Sequence, residues 1–105
     1  MLNPVSPRKV PAHVSDRCVF NVTISNALGL HARPAMAFAQ TAAEHACDVR
    51  VRKEGQEPVD GKSVMHIMLL AATKGTELEI VAEGHDAADC CERLRALVER
   101  GFDEE

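Results

Sequence analysis

Short stretches in which apolar and polar residues strictly alternate are the feature that most constrains the fold. Residues 18–25, 47–53 and 76–82 each place apolar side chains at every second position. This period of two predicts β-strands that bury one face and expose the other. The turn sequence Glu54-Gly55-Gln56 predicts a hairpin, with a fourth short strand near 57–60. Sheets with one solvated face are typically antiparallel, so an antiparallel sheet is expected.

Helical spacing separates these strands. The first helix is expected around Pro34, because proline is tolerated in the first turn, and its buried stripe includes Phe38. A second, short apolar helix opens at Ser63 and is expected to stop at Lys74-Gly75. A third helix is expected to be capped by Asp86, to bury Cys90, Leu94, Leu97 and Val98, and to end at Gly101. The order β-α-β-β-α-β-α predicts an α+β open-faced sandwich: a four-stranded antiparallel sheet with three helices on one face.

The chain of 105 residues is long enough for one core. Residues 1–17 hold three of the five prolines and no periodicity, which predicts a flexible N-terminal extension before a folded domain over 18–105. Because aromatic residues make up only 3%, the core is expected to consist of Ala, Val, Leu, Ile and Met.

Charge and cysteine content exclude several functions. A net charge of −4 and few stacking aromatics argue against nucleic-acid binding. No apolar run approaches the ~20 residues that span a bilayer, which predicts no membrane insertion. The four cysteines lack zinc-like spacing and are expected to be free thiols in a reducing, cytoplasmic compartment. We therefore expect a monomer with no metal and no cofactor.

The segment Gly29-Leu30-His31-Ala32-Arg33-Pro34-Ala35 carries the clearest chemistry. It places His31 just before a helix, where free backbone N–H groups and the helix dipole favour anions such as phosphate. Arg33 adds donors that match phosphate oxygens. The same field favours a neutral imidazole, which can attack a phosphoryl group. A histidine at a helix start is often only a solvated residue, but its combination with Arg33 and Pro34 favours a phosphoryl site.

This segment closely resembles the active-site motif of the HPr family, the histidine-containing phosphocarriers of the phosphoenolpyruvate:sugar phosphotransferase system. The resemblance runs from about residue 19 to residue 100 and includes Asn26, Lys62-Ser63 and Lys74-Gly75. It implies that His31 accepts a phosphoryl group on Nδ1 from phosphorylated enzyme I and passes it to EIIA domains. Arg33 would neutralise phosphoryl charge. Such a protein is a carrier rather than an enzyme.

The segment after Gly61 is similar to the regulatory serine segment of HPr proteins that are phosphorylated by HPr kinase/phosphorylase. The resemblance implies regulatory phosphorylation at Ser63 and partner docking through exposed Val64, Met65 and Met68. The simpler interpretation is that Ser63 only caps the helix and the methionines belong to the core. His66 departs from these relatives, which usually carry a small residue there.

Three alternatives remain open at this stage. The protein could be mainly a regulatory binding module, in which Ser63 phosphorylation controls a partner such as a transcriptional regulator. It could be a nitrogen-branch phosphocarrier, which shares the His31 chemistry but has other partners. It could also be a purely structural domain in which the motif is incidental, although folding alone does not require both His31 and Arg33.

Overall fold

A four-stranded antiparallel sheet forms one layer of the molecule. The computed structural model describes residues 16–104. The strands are β1 (Arg17–Thr23), β2 (Asp48–Lys53), β3 (Val59–Asp60) and β4 (Glu77–Glu83), and the helices are α1 (Ala32–Ala43), α2 (Val64–Leu69) and α3 (Ala87–Glu99). The strand order is β1-β4-β2-β3, and all three pairings are antiparallel. The predicted open-faced α+β sandwich is confirmed.

The alternation in the strands separates the core from the solvated face. The inward side chains of β1, β2 and β4 are buried under the helices: Phe20, Val22, Val49, Val51, Leu78, Ile80 and Ala82. The outward face carries cross-strand ion pairs, among them Arg17 with Glu83 at 2.9 Å and Arg52 with Glu79 at 3.3 Å. Pairs this exposed contribute little stability, so the buried face determines the register.

The composition of the core differs from expectation. Met36, Met65 and Met68 are all exposed, whereas Phe20, Phe38 and Phe102 are buried, as are three of the four cysteines. The core therefore contains the chain's few aromatic side chains and omits the methionines of the described segment. A flexible thioether is better suited to a surface that adapts to partners than to a small, close-packed core.

The strand that opens the domain begins earlier than predicted. Arg17 belongs to β1 and pairs with Glu83, and the carbonyl of Asp16 accepts the Gly84 N–H at 2.8 Å. The rest of the predicted flexible extension, residues 1–15, lies outside the described residues.

Helix α2 ends five residues before the predicted stop at Lys74-Gly75. Its last residue is Leu69, and Ala71 has a positive φ of 52°. Lys53 Nζ binds the freed carbonyls of Leu70 and Ala71 at 3.2 and 3.5 Å. The chain leaves the helix because the segment that follows must bond to the β1–α1 connection, as described below.

Asp86 stands at the start of α3 but does not cap it, contrary to prediction. Its carboxylate instead accepts the N–H groups of Ala46 and Cys47 at 2.8 and 2.9 Å. Three residues on, Asp89 lies 2.9 Å from Nε2 of the buried His45. The two acids therefore hold the α1–β2 connection against α3. The helix itself buries its predicted stripe and ends at Glu99, with Arg100 as its C-cap just before Gly101.

Candidate phosphoryl site

The connection between β1 and α1 is fastened to the segment that follows α2. The Leu30 N–H donates to the carbonyl of Ala72 at 2.9 Å. Gly29 adopts φ +69°, and a Cβ atom there would lie 2.4 Å from the same carbonyl oxygen. Only glycine permits both this backbone conformation and this approach. The position from which His31 leaves the loop is therefore fixed by backbone contacts.

His31 occupies the N-cap position of α1 without using its side chain as a cap. Its carbonyl accepts the Ala35 N–H at 3.0 Å. Ala32 and Arg33 are the first two helical residues, so their N–H groups have no acceptor within the helix. Pro34 is the third helical residue, which is within the first turn, and it has no N–H to satisfy. The site thus offers two free backbone donors beside a ring that is 37% exposed.

The imidazole ring makes its contact through one nitrogen. His31 Nε2 lies 3.2 and 3.1 Å from the two carboxylate oxygens of Glu104. Because an ionised carboxylate can only accept, Nε2 carries the hydrogen. Nδ1 has no hydrogen-bond partner within residues 16–104, so in the neutral ring it bears the free lone pair.

Glu104 is the residue that sequence reasoning missed. It lies beyond the last predicted helix and was given no role. The hydrogen bond from His31 lowers the pKa of Glu104 below its usual value, a second from Asn26 acts in the same direction, and burial opposes both. The sequence led us to expect only cationic groups around the ring. The structure adds a carboxylate that balances the field of the helix and of Arg33.

Arg33 projects from the first turn of α1 and is exposed. In the part of the chain that the structure describes, it forms no ion pair within 4 Å. It lines an open cleft of about 340 Å³ together with Ala27, Leu28, Asp103 and Glu104. A guanidinium in this position can bind an anion held at the helix N-terminus.

Ser63 lies at the start of α2. Its Oγ accepts the His66 N–H at 3.2 Å, so it is the N-cap of α2. The neighbouring Lys62 reaches away from it, and its Nζ donates to the His45 carbonyl at 2.8 Å. Ser63 is half-buried.

The residues expected to form a docking surface do not all behave alike. Met65 is 70% exposed and Met68 43%, as expected of surface residues. Val64 is instead partly buried and packs against the core. Leu69, at 70% exposure, replaces it on the surface. Ile67 and Leu70 are buried. Leu28 and Met36 are further exposed apolar side chains that the sequence did not single out.

Among residues 16–104, the thiols and the side chains able to bind a metal form no further site. The four thiols are unpaired, and burial raises the pKa of Cys90 to about 12. Residues 16–104 contain no group of three side chains suited to a metal ion. Within the same residues, no helix has the length and apolar character needed to cross a membrane.

Comparison with known proteins agrees with this arrangement. A family model described as "PTS HPr component phosphorylation site" matches residues 19–100. The phosphocarrier protein HPr of Pseudomonas aeruginosa is 45% identical over 83 residues, which cover 79% of this chain and 92% of that protein. The HPr-like protein Crh of Bacillus subtilis is 42% identical over 71 residues, which cover 68% of this chain and 82% of that protein.

A solved structure resembles the whole domain. The crystal structure of HPr-C-His from Thermoanaerobacter tengcongensis superposes with a TM-score of 0.80 at 38% identity, covering 84% of this chain and 98% of that chain. Fold and site together define a phosphocarrier domain with a histidine at a helix start. The chain belongs to the HPr family of the phosphotransferase system.

Proposed function

We propose that the protein carries a phosphoryl group on His31 Nδ1, accepting it from phosphorylated enzyme I and passing it to EIIA domains. The observation that carries this proposal is the ring at the start of α1, with Nε2 hydrogen-bonded to Glu104 and Nδ1 without a partner among residues 16–104. In the transfer, the Nδ1 lone pair attacks phosphorus. The bond from phosphorus to the donor breaks, and its electron pair stays with the donor.

The surroundings of the ring suit the phosphoryl group in this step. The charge on its oxygens would be met by the free N–H groups of Ala32 and Arg33 and by the Arg33 guanidinium. Because the P–N bond of a phosphohistidine is a high-energy bond, the transfer is close to balanced and reversible, and the protein acts as a co-substrate. The partner enzymes would supply most of the positioning. In this proposal the protein works as a monomer in the cytoplasm.

The direct test is phosphotransfer from enzyme I and phosphoenolpyruvate, followed by intact mass. We expect one acid-labile phosphate on the wild-type chain and none on His31→Ala. The matched control is His85→Ala, which removes an exposed imidazole on the β4–α3 turn and should leave phosphotransfer unchanged. Phosphate on His31→Ala, or none on the wild-type chain, would contradict the proposal.

The second part of the proposal is that Ser63 is a regulatory phosphorylation site for an HPr kinase/phosphorylase. The family resemblance supports it, as does the position of Ser63 beside the exposed side chains of Met65, Met68 and Leu69. A phosphoserine adds about −1.5 to −2 charges. Placed beside an apolar docking surface, that charge would weaken binding to enzyme I and alter which regulators bind.

Ser63→Asp and Ser63→Asn separate charge from capping, because both side chains are good N-caps and only one is charged. We expect Ser63→Asp to raise the apparent KM for enzyme I severalfold, whereas Ser63→Asn stays near wild type. Equal effects from the two variants would show that the hydroxyl itself, and not charge, matters. Acid-stable phosphate on the wild-type chain after treatment with ATP and the kinase, absent in Ser63→Asn, is the direct measurement.

A further inference from the structure

The segment after α3 folds back toward His31 through an unusual backbone. Gly101, Phe102 and Asp103 have consecutive positive φ values of 67°, 59° and 61°. Two of the three are not glycine, and a left-handed conformation is costly for a bulky residue such as phenylalanine. Phe102 is nevertheless held, because its side chain is buried. Strain of this kind persists only where the surroundings impose it, and it concentrates at functional sites.

Further contacts hold this turn in place. Arg100 donates to the Asp103 carboxylate at 3.0 and 3.3 Å, and the Glu104 N–H donates to the Gly101 carbonyl at 3.0 Å. The consequence of the turn is that Glu104, 73 residues from His31 along the chain, ends with its carboxylate against the ring.

A buried amide fixes the carboxylate from its other side. Asn26 is 3% exposed, and its Nδ2 donates to Glu104 Oε1 at 3.0 Å and to the Gly29 carbonyl at 2.8 Å. The same side chain therefore ties the glycine turn before His31 to the acid that faces the ring. Asn26, Glu104 and His31 form a continuous chain of hydrogen bonds, which we call the ring brace.

We propose that Glu104 is a positioning residue for phosphoryl transfer: it holds the hydrogen on His31 Nε2, orients the ring and stabilises the positive charge that the ring acquires when Nδ1 is phosphorylated. This inference rests on the proposed function of His31. When Nδ1 bonds to phosphorus, Nε2 keeps its hydrogen and the ring becomes cationic. The proton stays on nitrogen, and Glu104 remains a carboxylate throughout, as the aspartate does in a Ser-His-Asp triad.

Electrostatics favour placing opposite charges at the two nitrogen edges of the ring. The phosphoryl group would sit at the Nδ1 edge with Arg33 and the helix N–H groups, while the carboxylate lies at the Nε2 edge. A cationic donor strengthens the hydrogen bond to a carboxylate. The brace should therefore contribute more in the phosphorylated state than in the free state, which shifts the equilibrium toward the carrier.

Two variants of Glu104 test the proposal. Glu104→Ala removes the acceptor, and Glu104→Gln keeps a neutral acceptor of the same size. We expect phosphotransfer at saturating enzyme I to fall about tenfold in Glu104→Ala, with the KM for enzyme I unchanged. Glu104→Gln should lose the charge effect but keep the ring orientation, and so fall between Glu104→Ala and wild type. Glu99→Gln, an exposed acid at the end of α3, is the charge-matched control and should match wild type.

Ring NMR on the unphosphorylated protein provides a measurement that would not change if Glu104 only stabilised the fold. With ¹⁵N-labelled histidine, the His31 Hε2 proton should be observable and protected from exchange in wild type and Glu99→Gln. It should remain in Glu104→Gln and exchange rapidly in Glu104→Ala. An unchanged Hε2 signal in Glu104→Ala, or a raised KM with unchanged turnover, would overturn the proposal.

The two kinds of failure are distinguishable. If the wild-type chain takes no phosphate from enzyme I, the proposed function of His31 is wrong and the positioning role falls with it. If wild type is phosphorylated normally and Glu104→Ala equals it in turnover and in Hε2 exchange, only the role of Glu104 is wrong.

Discussion

The starts of helices α1 and α2 use their N-cap residues in opposite ways. Ser63 satisfies its own helix, because its Oγ accepts the His66 N–H. His31 contributes nothing to its helix through the side chain, which turns instead to Glu104. A residue that caps a helix is held by it, whereas a residue that stands at the same position without capping leaves free donors and a free ring. A helix start that is not capped by its side chain, as at His31, is suited to a reaction. A self-capped start, as at Ser63, is suited to a modification that adds charge.

The two helices also differ in what supports them. α1 has twelve residues and buries Ala35, Phe38, Ala39 and Ala42 in the core. α2 has six residues and buries only Ile67 completely. The proposed phosphoryl site is therefore built on a rigid element, while α2 presents apolar side chains on a short helix with little stability of its own.

The largest effect we expect comes from Gly29, where the rigid start is anchored. Gly29→Ala places a methyl group 2.4 Å from the Ala72 carbonyl and imposes a positive φ. We expect the free energy of unfolding to fall by about 3 kcal/mol, since strain and overpacking combine. Urea denaturation measures the change.

Gly75→Ala is the control for backbone strain alone. Its φ is +92°, and no atom lies within 4 Å of the added Cβ. It should cost about 1 kcal/mol. If the two variants were equally stable, the close approach at Ala72 would not be what fixes the position of His31.

The next effect compares the two N-caps directly. Ser63→Ala removes a capping hydrogen bond and should lower stability by about 1 kcal/mol. His31→Ala removes no cap, so its cost should stay below about 0.5 kcal/mol, although on the proposed function it should abolish phosphotransfer. Thermal and urea unfolding of the two variants, side by side, provide the measurement. A larger loss of stability for His31→Ala than for Ser63→Ala would show that the His31 side chain supports its helix more than the Ser63 side chain does.

The same contrast explains what the sequence could predict. Strand positions, the helix at His31 and the cap at Ser63 follow from local patterns, because alternation, proline and serine act within a few residues. The position of His31 before α1 was therefore visible in seven residues. The end of α2 was not, because the Leu30 N–H, from far away in the chain, requires the Ala72 carbonyl.

The role of Glu104 was even harder to predict from local sequence patterns. Nothing in a sequence pattern indicates that Phe102 and Asp103 adopt left-handed backbone or that the chain then returns to a histidine 73 residues away. Asp86 shows the same limit, since it was predicted to cap α3 and instead binds N–H groups of the α1–β2 connection. Local rules locate a reactive residue, whereas long-range contacts determine what holds it.

The smallest effect we expect is a pH dependence of hydrogen exchange that is confined to the start of α1. The pKa of Glu104 is lowered by its bond from His31, so the ionised carboxylate contributes to stability above its usual unfolded value. That contribution is lost as the pH falls through the lowered value, where the acid is protonated. The Asn26 side-chain amide and the Glu104 backbone amide should therefore exchange faster once the pH falls below the usual range of a glutamate, before global unfolding.

The Ser63 cap supplies the internal reference for this experiment. The Ser63 hydroxyl does not titrate in this range. The His66 amide, which donates to it, should therefore stay protected from exchange until the whole protein unfolds. Glu104→Gln should remove the early step at Asn26 and leave the rest of the exchange profile in place. If Asn26 and His66 lost protection together in the wild-type protein, the carboxylate would not be coupled locally to the ring brace. The two helix starts would then belong to one cooperative unit, and the separation between a rigid reactive start and a self-capped regulatory start would not hold.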